Sequence, residues 1–145
     1  MLSTDKIKDL LSHGENKQVE FKKCTDKVSA SVYETVCSFL NAEGGYIFLG
    51  VDDDGTILGI NPKCVTDMTK SIINTLNNPE QFLPPMPITP EQTEIDGKII
   101  LYLNVPESEQ VHRYKNRFYD RWGDADNDVS KHTYLVKNMF MRKEK

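Results

Sequence analysis

Apolar side chains recur along this chain at spacings that switch between the helical and the strand period. Ile7, Leu10 and Leu11 share one face of a short helix that Thr4 is placed to cap and Gly14 to end. Gln18-Val19-Glu20-Phe21-Lys22 alternates, so Val19 and Phe21 lie on one side of a strand and Glu20 and Lys22 on the other. Val28, Val32, Val36, Phe39 and Leu40 return to helical spacing and predict a helix over 28–41. Tyr46-Ile47-Phe48-Leu49-Gly50-Val51 is apolar on both faces, as a central buried strand is. The turn residues Asp52-Asp53-Asp54-Gly55 then lead into Thr56-Ile57-Leu58-Gly59-Ile60, which reads as the hairpin partner of that strand.

Further along, Val65, Met68, Ile72, Ile73 and Leu76 define another helix, stopped by Asn77-Asn78-Pro79. Pro84, Pro85, Pro87 and Pro90 make the next link extended and stiff. Gln92 to Ile95 and Ile99 to Val105 are strands joined by Asp96-Gly97, one of the strongest hairpin signals. Arg117 to Trp122 reads as a last strand and 130–142 as a last helix. The expected fold class is therefore α+β: a mixed, mostly antiparallel sheet of five to six strands with helices packed on it. Residues 1–145 are read as a single domain, long enough to bury its own core.

Composition narrows the setting. With 38% hydrophobic and 28% charged residues, and no apolar run near the ~18 residues of a membrane span, no membrane partner is expected. The N-terminus lacks a secretory pattern, so the expected location is cytoplasmic. Cys24, Cys37 and Cys64 form no Cys-x-x-Cys pair and read as reduced structural thiols. The net charge of −4 argues against coating nucleic acid through bulk positive charge. Residues 1–112 hold nine Lys or Arg against seventeen Asp or Glu, whereas 113–145 hold nine against five. A basic C-terminal patch stands beside the plainer reading of a solvated surface.

Known motifs are excluded by spacing. Gly44-Gly45 precedes its strand and lacks the Lys-Ser/Thr of a phosphate loop, so the pair more simply turns helix into strand. Asp52 to Asp54 do not alternate as a calcium loop requires. His13, His112 and His132 have no zinc-ligand spacing, and no nucleophile motif is present. Carboxylates remain. If the strands carrying Glu20 and Asp52-Asp53 are neighbours, these acids and Glu15 can converge on magnesium or manganese, with Lys22 steering phosphate. Metal-assisted phosphodiester cleavage is the chemistry such a set serves.

The segments Gly14 to Lys22, Val36 to Gly55 and Ile57 to Ile60 carry Glu-Phe-Lys, Phe-x-Asn-x-x-Gly-Gly and Gly-Val-Asp-Asp in order. In this they resemble the Schlafen-type, Alba-like domain, also called the divergent AAA domain. Phe118 to Gly123 matches its later Tyr-x-Arg-x-Gly strand. The resemblance implies a nucleic-acid-binding domain, DNA or RNA, of a bacterial transcriptional regulator, with Lys22, Lys23, Arg117 and Arg121 as contact residues. In nuclease-active relatives three acids cleave structured RNA with a divalent metal; by motif position they fall on Glu15, Glu20 and Asp53. Bacterial relatives typically continue into an ATPase-like or winged-helix region, which makes 1–145 readable as the N-terminal domain of a longer protein. Three functions stand in order: a nucleic-acid-binding regulatory module, a metal-dependent endoribonuclease, and an assembly or sensing module. The last would use Tyr119 and Trp122 as an exposed interface, in a homodimer for instance.

Overall fold

The doubly apolar run after Gly44 becomes the inner strand of a sheet with helices on both faces. A computed structural model describes residues 1–144. The elements are α1 (Thr4–Ser12), β1 (Val19–Lys22), α2 (Ala30–Asn41), β2 (Gly45–Leu49), α3 (Val65–Leu76), β3 (Phe82–Leu83), β4 (Glu91–Ile95), β5 (Lys98–Val105), β6 (Arg113–Tyr114), β7 (Tyr119–Trp122), β8 (Ala125–Asp128) and α4 (Thr133–Lys143). The main sheet runs β1-β2-β5-β4, with β1 parallel to β2 and the other pairs antiparallel. Successive strand residues point to opposite faces. Ile47 and Leu49 of β2, with Leu101, Leu103 and Val105 of β5, pack against Val36, Phe39 and Leu40 of α2 and Met68 and Ile72 of α3. Phe48, Ile100, Tyr102 and Phe21 pack on the other face against Ile7 and Leu11 of α1.

The class is as expected, but the main sheet holds four strands and the rest pair off as two ribbons, β3 with β6 and β7 with β8. The hairpin expected over 46–60 does not form. Both edges of β2 are filled, by β1 and β5, so residues 56–60 find no free ladder. They keep one bridge, Val51 to Ile57, and send Leu58 N–H and Gly59 N–H to the Gly50 carbonyl at 2.8 and 3.0 Å. The Asp96-Gly97 hairpin does form, with both residues at positive φ (52° and 78°), as a type I′ turn demands. Helix ends shift slightly: Ser3, rather than Thr4, caps α1 by accepting from Lys6 N–H at 3.1 Å, and α2 begins at Ala30.

Gly44 and Gly45 bring the end of α2 tightly against two strands. A Cβ on Gly44 would lie 2.5 Å from the Val105 carbonyl oxygen, and one on Gly45 2.5 Å from that of Gln18. Only a residue without a side chain fits either place. All three cysteines are free thiols, Cys37 buried and the others partly so. Among the described residues no helix is long and apolar enough to cross a membrane.

Candidate functional site

β1 is an edge strand, and its alternation decides which side chains reach the α2 side of the sheet. Val19 and Phe21 enter the α1 core, so Glu20 and Lys22 must face the other way. There they border an open cleft of about 650 Å³, together with Glu15, Lys23, Lys27, Asp53 and the Ser29 and Ser31 hydroxyls. Ser29 and Ser31 mark the start of α2, whose first turn carries no acidic side chain. Unopposed N–H groups and the helix dipole make such an end favourable to anions.

Five of the expected site residues, Glu15, Glu20, Lys22, Lys23 and Asp53, thus line one cleft. Lys23 pairs with Asp52 at 3.6 Å, and Asp52 N–H bonds the Thr56 carbonyl at 2.8 Å to close the acidic turn. Asp53 N–H in turn bonds the Asp52 carboxylate at 2.8 Å. Glu15 reaches back across the start of β1, where its Oε2 accepts from Phe21 N–H at 3.0 Å. Arg117 lies outside the cleft lining and pairs with Asp128 at 2.9 Å.

Arg121 is placed differently from the expectation. Its side chain is fully buried, 0% exposed, so it is not a surface contact for phosphate. The guanidinium stacks on Phe39, 4.7 Å from the ring centre, and each of its nitrogens is committed. Nε donates to the Lys17 carbonyl at 3.3 Å, Nη2 to Asn16 at 2.8 Å and Nη1 to Asp126 at 2.8 Å. Nη1 also stands 3.0 Å from Glu20 Oε1. Arg121 and Asp126 are directly opposed across the β7–β8 ribbon, which sets the length and angle of their bond.

Three residues of α2 complete this wall. Thr35, Ser38 and Asn41 repeat every third position, are fully buried and face β7, β8 and the loop before them. Thr35 and Ser38 hydroxyls each donate to Asp126 at 2.5 Å. Asn41 donates to the His112 and Tyr119 carbonyls at 2.9 Å and accepts from His112 N–H at 2.7 Å. Asp120 is buried as well and holds Arg142 through two bonds of 3.0 and 3.1 Å. Tyr119, expected to be exposed, is buried, and only Trp122 is half-exposed. Sequence reasoning missed Asp126 and this stripe. The sign available was three polar side chains at spacing three within a helix otherwise polar only at Ser31 and Glu34.

Burial sets the charge state of the centre. Removal from water, then a hydrogen bond with the Glu15 carboxyl, pushes the Glu20 carboxyl up to about 8, against the pull of Lys22 and Arg121. At neutral pH Glu20 mostly keeps its proton. Its Oε2 lies 3.7 Å from Lys22 Nζ, while Oε1 is buried and has no hydrogen-bond partner despite the nearby guanidinium. Arg121 Nη1 donates to Asp126 and stands 3.0 Å from Oε1 without directing a hydrogen bond to it, so Glu20 receives charge proximity without a bond.

The divalent metal implied by nuclease-active relatives does not fit these residues as they stand. Glu20 presents one oxygen that is sealed from solvent and one that faces an ammonium, and Glu15 Oε2 is engaged by backbone. Among the described residues, no group of three or more His, Cys, Asp or Glu is arranged to hold an ion.

Comparison with known proteins fits the fold. The N-terminal domain of a RecG-related protein from Nitrosomonas europaea, a protein named for a DNA helicase, superposes with a TM-score of 0.57 at 27% identity, covering 74% of each chain. The DIP2311 protein of Corynebacterium diphtheriae shares the fold with a TM-score of 0.62 at 15% identity, over 86% of this chain and 25% of its own length. Curated proteins gave no match. The sequence model described as Schlafen, AlbA_2 matches residues 15–130, from the first cleft carboxylate to the end of the β7–β8 ribbon, and the chain belongs to that family.

Proposed function

We propose that this chain is a nucleic-acid-binding module, serving within a regulator of transcription, and that the β1–α2 cleft is where the phosphate backbone sits. The observation that carries this reading is the cleft's composition: Lys22, Lys23 and Lys27 gathered at the start of α2, beside an acid whose charge is cancelled. With Glu20 protonated, three lysines face Glu15, Asp26 and Asp53, so the cleft is near neutral rather than strongly positive. Attraction is then local. The helix end and lysine heads contact a few phosphates, without the long-range pull of a basic protein. The likeness to the N-terminal domain of a RecG-related protein supports the same class of ligand.

The test is a fluorescence-anisotropy titration of labelled single-stranded and duplex oligonucleotides across a salt series. About two to three phosphate contacts predict a slope of log K on log salt near −2 to −3. Binding should weaken several-fold in Lys23→Ala and Lys27→Ala. Absence of binding at ~20 mM salt, or binding with no salt slope, removes the reading.

A further inference from the structure

Arg121 and Lys22 use their charges on an acid of the cleft rather than on the cleft's opening, and this says how the site works. Resting on the nucleic-acid reading above, we propose that Arg121 and Lys22 are the built-in cations of this cleft, engaging both oxygens of Glu20 in place of a divalent ion, so that phosphate is bound without metal.

Arg121 cannot be withdrawn easily. Its side chain is sealed from solvent, sandwiched on Phe39 and tied to two carbonyls and Asp126. A guanidinium so fixed stays charged and stays in place. From that position it sits 3.0 Å from Glu20 Oε1, an atom water does not reach. A metal arriving through the cleft would meet only Oε2, and Lys22 Nζ is 3.7 Å from it. The neighbouring acid is engaged as well: Glu15 has one oxygen on Phe21 N–H. A divalent ion needs several anionic oxygens free at once, and two cations already stand against these. Asp53, the third acid, lines the same cleft but is carried by the separate acidic turn.

Arg121 and Lys22 are therefore positioning residues. They flank and orient Glu20, and they leave Lys23, Lys27 and the α2 N-terminus to meet phosphate. Asp126 belongs to the same device. By accepting from Thr35, Ser38 and Arg121 it fixes the guanidinium at the correct height on β7.

Manganese binding to the whole chain, followed by the loss of the free-ion electron paramagnetic resonance signal at pH 7, tests this independently of any oligonucleotide. The expected result is no uptake below about 1 mM metal, and at least a ~10-fold gain in uptake in Lys22→Met, which frees Oε2. One manganese bound below that concentration by the unaltered chain and lost in Glu20→Gln overturns the proposal. So does uptake by Lys22→Met no greater than that of the unaltered chain. Arg121→Met tests the other cation, but its buried position makes misfolding a risk, which is why Lys22→Met carries the decision. Oligonucleotide affinity is then compared in EDTA and in manganese. A change under about twofold is expected, and a requirement for manganese overturns the proposal. If no oligonucleotide binds under either condition, the nucleic-acid reading fails, while the manganese titration still decides the role of the two cations.

Discussion

The two faces of the main sheet are held by different physics, although β1 contributes to both. On the α1 face, Val19 and Phe21 join Ile7, Leu11, Phe48, Ile100 and Tyr102 in an almost wholly apolar layer. Tyr102 is the one polar exception, and its hydroxyl accepts from Leu2 N–H at 2.9 Å at the layer's edge. On the α2 face the apolar core runs out toward β1, and Glu20, Arg121, Asp126, Thr35 and Ser38 take over. An apolar layer tolerates any arrangement that fills space, because hydrophobic attraction has no direction. A buried polar cluster tolerates only the arrangement that satisfies its donors and acceptors. The second face is thus the one that fixes where side chains point, and it borders the cleft.

Perturbing the two faces should separate them, beginning with the largest effects. Phe48→Ala empties the centre of the α1 face and is expected to cost about 3–5 kcal/mol. Chemical denaturation at pH 6 and pH 9 should give the same loss, since no titrating group is involved. Arg121→Met is expected to cost roughly 3–5 kcal/mol, because Asp126 keeps its charge without its cation. Here the loss should vary between those pH values, because Glu20 changes charge. Equal losses at both pH values would mean that Arg121 acts through Asp126 and its stacking on Phe39 and not through Glu20.

Glu20→Gln sharpens the contrast with a smaller change. The folded carboxyl titrates near 8 and the unfolded one near 4.5, so the folded state holds the proton more tightly. This group's contribution to stability is therefore fully present below about 4.5, falls as pH rises from there to about 8, and is level beyond. The substitution should leave Tm unchanged near pH 4 and raise it by roughly 2–4 °C at pH 9, if only about 1 kcal/mol of the penalty is recovered. A lower Tm at pH 9 would show that the charged carboxylate stabilises the native state.

His112 gives the smallest effect and the opposite sign. It is buried, bonds the Pro84 carbonyl through Nδ1 at 2.9 Å and the Ser108 hydroxyl through Nε2 at 2.7 Å, and burial holds its pKa below the usual value. The unfolded chain takes up this proton first as pH falls below about 6.5, so stability is lost on acidification there. His112→Gln should flatten the fall in Tm between pH 7 and pH 5, measured by calorimetry. An unchanged slope would exclude His112 as its source.

How much could be seen in advance follows the same division. The period-2 pattern of Gln18 to Lys22 placed Glu20 and Lys22 on one face, and the Asp96-Gly97 turn set the β4–β5 register, because both are local rules. The Val65–Leu76 helix was legible from spacing alone. The strand expected over 56–60 was not formed, because whether β2 had a free edge depended on β1 and β5, from distant parts of the chain. β8 was invisible for the opposite reason: Ala125-Asp126-Asn127-Asp128 has no apolar alternation and is a strand through pairing with β7. For the site, Glu15, Glu20, Asp53, Lys22 and Lys23 could be picked out one by one, since residue type and order carry over along the sequence, whereas Asp26 and Lys27 joined the cleft only in the fold. The charge of Arg121 was equally plain, but its burial was not. Composition determines that a guanidinium is cationic; only the packing of β7 against Phe39 and β1 decides whether that charge faces water or an acid inside the protein.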